Sequence, residues 1–167
     1  MKNKFIIILI ALFFESVVYA DNISIQTKNV TIDKKKNLTI FNNQVLITTV
    51  ENDTIKSDYA EYDNLKGIIK LKKNVIIVDN QKNTIETENA EYYENEKILK
   101  SIGPTKITTL EKYVVKSNNI ILDNNKNFIK SEFKTTVTDI ENNEIFLDNF
   151  EYQKINKIFK SIGFIKV

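Results

Sequence analysis

Five glutamates crowd one stretch of the chain: Glu86, Glu88, Glu91, Glu94 and Glu96. Carboxylates held close together can act as general acid and base, and glycoside hydrolysis needs two of them facing each other across a cleft. These five mostly alternate along an extended stretch, which points them to one solvated side and not toward each other. Asp63, Asp79 and Asp123 offer oxygen donors of the kind calcium takes. Each, however, opens an Asp-Asn turn, where the carboxylate ordinarily accepts hydrogen bonds from its own backbone. The run "DKKKN", Asp33 to Asn37, could meet anionic lipid phosphates, and it reads more simply as an exposed turn.

The remaining chemistry is excluded by what the chain lacks. Its 167 residues contain no histidine, no cysteine and no arginine. Thiol nucleophiles, disulfides, Ser-His triads and zinc sites built on nitrogen or sulfur are therefore closed to it. Three glycines, Gly67, Gly103 and Gly163, cannot make a glycine-rich phosphate loop. A formal net charge of +2 does not call for a nucleic acid, and the side chain best suited to bidentate phosphate and guanine contacts is missing. No catalytic residue, metal site or cofactor is expected.

The elements that must position any functional surface begin after residue 20. Lys2 and Lys4 precede the apolar run Phe5 to Phe14, and "ESVVYA" follows, with Val18 and Ala20 in the small-residue positions before Asp21. This is the three-part layout of a secretory signal peptide, expected as a helix over 1–20 and removed at Ala20. A membrane anchor needs about 20 apolar residues, and Glu15 interrupts this shorter stretch. The expected domains are thus a leader, 1–20, and one folded unit, 21–167, with no spanning segment in the mature chain.

Within 21–167 one pattern returns every thirty residues, in rows starting at Ile25, Ile55, Ile85, Val115 and Ile145. Two residues on stand Thr27, Ser57, Thr87, Ser117 and Leu147. Then come Val30, Ala60, Ala90, Ile120 and Phe150, and two further Ile32, Tyr62, Tyr92, Leu122 and Tyr152. "KSIG" at Lys100–Gly103 recurs at Lys160–Gly163. Inside each row the period is two, the mark of half-buried strands. The alternation changes parity between Ser57 and Ala60 and between Thr87 and Ala90, which predicts a β-bulge or corner passing each strand from one sheet to a facing one. One row cannot bury its apolar face alone, so the rows must stack around a shared core. The expected fold is all-β: an elongated open β-jelly roll of stacked repeats, with unpaired edges at Ile25, Val30 and Ile32 at one end and Phe159, Ile165 and Val167 at the other.

The stretches "IKSDYAEYDNLKGIIKLKKNVIIVD" and "IETENAEYYENEKILKS" resemble the OstA-like lipopolysaccharide-transport family, which includes the periplasmic bridge protein LptA and the N-terminal periplasmic domain of LptD. Residues 135–167 read closer to the LptD domain than to free-standing LptA, which would make the chain the front piece of a longer protein that continues into a large outer-membrane barrel. The resemblance implies sleeves that join edge to edge with other Lpt proteins in the periplasm and hold lipid A acyl chains in an apolar groove. Its lining would be Ile55, Ala60, Tyr62, Ile68, Val75 and Ile77; Ile85, Ala90, Tyr92, Ile98 and Ile107; and Val115, Ile120, Leu122, Phe128 and Val137. Such a groove has a clear physical use, since each methylene kept out of water is worth about 0.8 kcal/mol. The same residues would equally fill a closed sandwich, which leaves a second expectation: an exported structural or adhesive β-solenoid that assembles through its edges and carries no lipid.

Overall fold

The computed structural model describes residues 18–20 and 23–166, with only the backbone given for Val18–Ala20. The expected leader helix lies largely outside the described residues, and the part that is described, Val18–Ala20, is the short strand β1. Sixteen strands and no helix follow the order of the chain, so among the described residues no helix is long and apolar enough to cross a membrane.

Five long strands form the middle of the molecule: β4 (Leu38–Thr48), β5 (Thr54–Asp63), β6 (Ile68–Val78), β7 (Thr84–Tyr93) and β8 (Ile98–Thr108). Each pairs antiparallel with the next, so one thirty-residue row is two long strands joined by tight turns. Ahead of them lie β2 (Ile23–Gln26), between β1 and β4, and β3 (Asn29–Asp33), paired only with β4. Beyond β8 the long strands break into short ones: β9 (Val114–Asn118), β10 (Ile121–Asp123), β11 (Phe128–Ser131), β12 (Thr135–Thr138), β13 (Glu144–Leu147), β14 (Phe150–Gln153), β15 (Ile158–Lys160) and β16 (Ile165–Lys166).

Those breaks expose the plan of the sheet. One ladder continues β8–β10–β11–β14–β15 and the other β8–β9–β12–β13–β16. The long strands belong to both ladders because each bends at its centre. The pairing shifts register there, between Asn42 and Val45, Lys56 and Tyr59, Lys72 and Val75, and Thr87 and Asn89. This is the predicted bulge. Left-handed backbone at Asn43–Gln44 and Lys73–Asn74, and at Gly103, makes the corner. The sheet is therefore folded lengthwise along a spine into two facing halves and is not closed into a barrel: an elongated open β-jelly roll with free edges at its two ends.

Buried hydroxyls explain the Ser/Thr column at the spine. A bulge leaves ladder groups unpaired, and an unpaired buried group costs on the order of 1–3 kcal/mol. Ser57 Oγ donates to the Tyr59 carbonyl at 3.0 Å, Thr135 Oγ1 to that of Phe133 at 2.8 Å, and Ser131 Oγ to that of Asn118 at 2.6 Å. Hydroxyls also bond to one another, Thr105 Oγ1 to Ser101 Oγ at 2.7 Å around the corner of β8 itself and Thr135 Oγ1 to Ser117 Oγ on the neighbouring strand at 2.8 Å. The repeated "KSIG" sits at this corner, where Asn119 and Asn149 side chains accept from the Gly103 and Ile162 N–H groups.

Candidate functional site

Two apolar rows face each other across the fold. In the half carrying the N-terminal part of each row, cross-strand neighbours run Ile25, Ile47, Ile55, Ile77, Ile85, Ile107, Val115, Val137 and Ile145. We call this the isoleucine half. Opposite, the tyrosine half presents Ile32, Thr39, Tyr62, Ile69, Tyr92, Leu99, Leu122, Ile129, Tyr152 and Phe159 in one unbroken register.

Most of the expected lining lies on these inner faces. Ile55, Ala60, Tyr62, Val75, Ile77, Ile85, Ala90, Tyr92, Ile107, Val115, Ile120, Leu122 and Val137 are all buried in one cluster. Ile68, Ile98 and Phe128 are not: they stand half-buried on the outer face, in register with Asp63, Tyr93, Asp123 and Gln153. Their neighbours Ile69, Leu99 and Ile129 point inward instead. Each pair of adjacent apolar residues leaves the face ambiguous, and the next residue resolves it. Lys70, Lys100 and Lys130 lie outside the core, which turns the residues on either side of them inward.

The interior is closed to solvent along its middle. Phe41, Ile47, Ala60, Ile69, Ile77, Ile85, Ile120 and Leu122 show no exposed surface. An accessible trough through these residues is therefore not the state described; the two faces fill the gap with their own side chains. The lining does reach the ends. Ile32 on β3 is 63% exposed and Ile165 on β16 is 52% exposed, because nothing lies across from them. Of the expected edge residues, Val30 and Phe159 are partly buried against the core. Ile25 lies inside β2, flanked by Val18 and Ile47, and is not at an edge. Val167 falls outside the described residues.

Opposite the spine, the turns of the two halves meet at a mouth, and the contacts across it are largely polar. Tyr62 and Tyr92 place their rings inward and their hydroxyls here, donating to Glu94 Oε2 at 2.7 Å and Glu51 Oε2 at 3.3 Å. Burial, together with these carboxylates, pushes both phenols well above the ordinary tyrosine value. Lys97 Nζ lies 2.8 Å from Glu51 Oε1, off the hydrogen-bonding direction. Burial acts to raise the Glu51 carboxyl, but Lys97, a backbone N–H and Thr49 together outweigh it and hold the group below its usual value. Further along, Lys157 pairs with Glu111, and Tyr113 meets Phe159 edge-on with ring centres 6.0 Å apart.

At the centre of the mouth is a cluster that the sequence reading missed. Lys154 is 1% exposed. Its ammonium donates to Asn124 Oδ1 at 3.0 Å and lies 3.5 Å from Asp79 Oδ2. Asn124 donates to Asp53 Oδ2, and Asp53 Oδ1 accepts the Asn80 N–H at 2.9 Å. Asp79 accepts from the Gln81 and Asn83 N–H groups and the Asn83 side chain, and Asn83 accepts from the Leu110 N–H. The Asx-turn reading of Asp79 is correct as far as it goes, but the same carboxylate also binds the opposite half. Burial holds the Asp53 carboxyl above its ordinary value despite Asn124, Asn80 and Lys154 nearby. The column itself gives no clear signal: Lys154 stands where other rows carry Lys34, Asn64, Glu94 and Asn124, and Lys34 is exposed.

Of the other candidates, Glu94 is half-buried under Tyr62 and Asp123 is buried while accepting from its own turn; the rest are exposed or half-buried on the surface. Glu86 and Glu88 are exposed, with Glu86 paired to Lys106 at 3.4 Å. Asp33 and Asp63 accept from their own turns, and "DKKKN" is an exposed turn. Among the described residues no three acidic side chains converge as a metal site.

No family model matches the sequence, and no curated protein does. Among solved structures, similarity is found to the crystal structure of LptH, the LptA homologous periplasmic component of the conserved lipopolysaccharide transport device from Pseudomonas aeruginosa. It covers 83% of this chain and 80% of that one, at 12% identity and a TM-score of 0.31.

Proposed function

We propose that the protein is a non-enzymatic carrier for the acyl chains of lipopolysaccharide, one sleeve in an end-to-end relay through the periplasm. The observation that carries this reading is the continuous apolar lining, which runs the length of the fold and, among the described residues, is uncovered at Ile32 and Ile165. There, among the described residues, the backbone edges of β3, β15 and β16 each pair on one side only. An adjoining sleeve would extend both the ladder and the lining, giving a hydrocarbon chain one unbroken dry path. The wording of the repeats supports the same reading, and that of residues 135–167 favours the LptD-like member. Cleavage after Ala20 would remove β1 and leave β2 as a further free edge.

The experiment is capture in cells. A photoreactive residue at Ile77 or Ile107 is expected to cross-link lipopolysaccharide, and one at the exposed Lys72 is not. The filled interior favours one other reading, a structural β-solenoid assembled through its edges. Capture at neither inner position, with protein–protein adducts at Ile32 and Ile165, would establish that reading instead.

A further inference from the structure

The carrier reading leaves a difficulty that the geometry itself answers. The interior has no free volume against its central residues, so an acyl chain can enter only if the two halves separate. The spine can act as the hinge: left-handed backbone at Asn43–Gln44, Lys73–Asn74 and Gly103 already turns β4, β6 and β8 at a corner, and small backbone changes there swing one half against the other. The opposite seam is where separation must occur, and it is built from charges. Two apolar faces resist parting because both lose buried surface. Buried ions differ: they were stripped of water on closing and regain it on opening, which offsets much of the attraction lost.

We propose that the mouth is a gated side port, with the Lys154–Asp79 and Asn124–Asp53 contacts as its latch, opening to admit a hydrocarbon chain laterally and closing over it. The proposal rests on the carrier reading and adds where the chain enters and what holds it in. The placement of the latch agrees with such a role. It joins the isoleucine-half turns at 49–53 and 79–83 to the tyrosine-half turns at 124–127 and 154–157, over the middle of the sleeve, where the lining is fully sealed. Toward the C-terminal end, among the described residues, the turn at 139–143 bonds only within itself, through Asp139 and Asn143, and Ile140 is exposed.

The test uses spin labels on Asn80→Cys and Lys126→Cys, exposed positions on opposing turns. Without lipid one narrow distance is expected. With lipid A micelles a second population is expected, longer by the thickness of a hydrocarbon chain. A double variant, Asp79→Asn with Lys154→Met, removes both ions while the amide oxygen still accepts from the N–H groups of its own turn, leaving neutral groups that gain little from water on opening. It is expected to abolish the longer population and lower capture at Ile107 about tenfold or more, with no loss of thermal stability. A second arm avoids any folding defect: a cleavable bismaleimide bridging the two cysteines in the folded protein should block capture, and cleaving it should restore capture. Unchanged distances with lipid A, or full capture while bridged, would overturn the gate. Widening without capture at Ile107 would leave the gate standing and overturn the carrier reading.

Discussion

The spine and the mouth are both seams between the same two half-sheets, yet they are made of opposite materials. At the spine the chain itself crosses, and neutral hydroxyls satisfy the carbonyls that the bulge frees. At the mouth no chain crosses, and the halves are held by a fully buried ion pair, a buried carboxylate–amide contact and the Tyr92–Glu51 phenol–carboxylate bond. Neutral hydrogen bonds suit a permanent joint because each is satisfied locally and gains nothing from water. Buried charges suit a joint that parts, because their solvation is recovered when it does.

The sharpest way to break this comparison is to remove one ion. Lys154→Met alone leaves the Asp79 charge buried without its counter-ion and is expected to cost about 3–5 kcal/mol in urea unfolding, whereas adding Asp79→Asn, which keeps the turn's acceptor, should return most of it. If the single and double variants are equally destabilised, the mouth is not an ionic seam. At the spine, Thr135→Val removes a donor from the Phe133 carbonyl and a partner from Ser117; a loss of about 1–2 kcal/mol is expected, with no change in the label distances across the mouth.

Acidification separates the latched turns from the free one. Burial raises the Asp53 carboxyl in the folded state, so its charge opposes folding at neutral pH and that opposition fades as pH falls through the raised value. Hydrogen bonds from the Asn143 side chain and backbone lower the Asp139 carboxyl, so its support is present above the unfolded value and is lost as pH falls through the lowered one. Comparing urea midpoints at neutral and acidic pH, Asp53→Asn should steepen the acid loss of stability and Asp139→Asn should flatten it. The smallest expected effect is at the turn holding the latch: Lys82 sits at φ 70°, and Lys82→Gly should gain about 0.5 kcal/mol in thermal unfolding, since only glycine adopts that backbone without strain.

Much of the architecture was legible in the chain. The thirty-residue period fixed the rungs, and the parity change between Ser57 and Ala60 located the bulge that the pairing shift confirms. The outer placement of Ile68, Ile98 and Phe128 was readable in principle from Lys70, Lys100 and Lys130, but adjacent apolar residues masked it. The latch was not readable as a contact. Asp53 and Asn124 lie 71 residues apart, more than two periods, and no local pattern says which turn of one half meets which turn of the other.

By itself the sequence determined the period, the alternation, the corner and the apolar character of both inner faces, because each depends on neighbours a few residues apart and on side-chain polarity. Only the tertiary structure decided that the faces close on each other and that Lys154 reaches Asp79. Those outcomes depend on how far the folded sheet twists from rung to rung, a quantity summed over many strands and written in no single one of them.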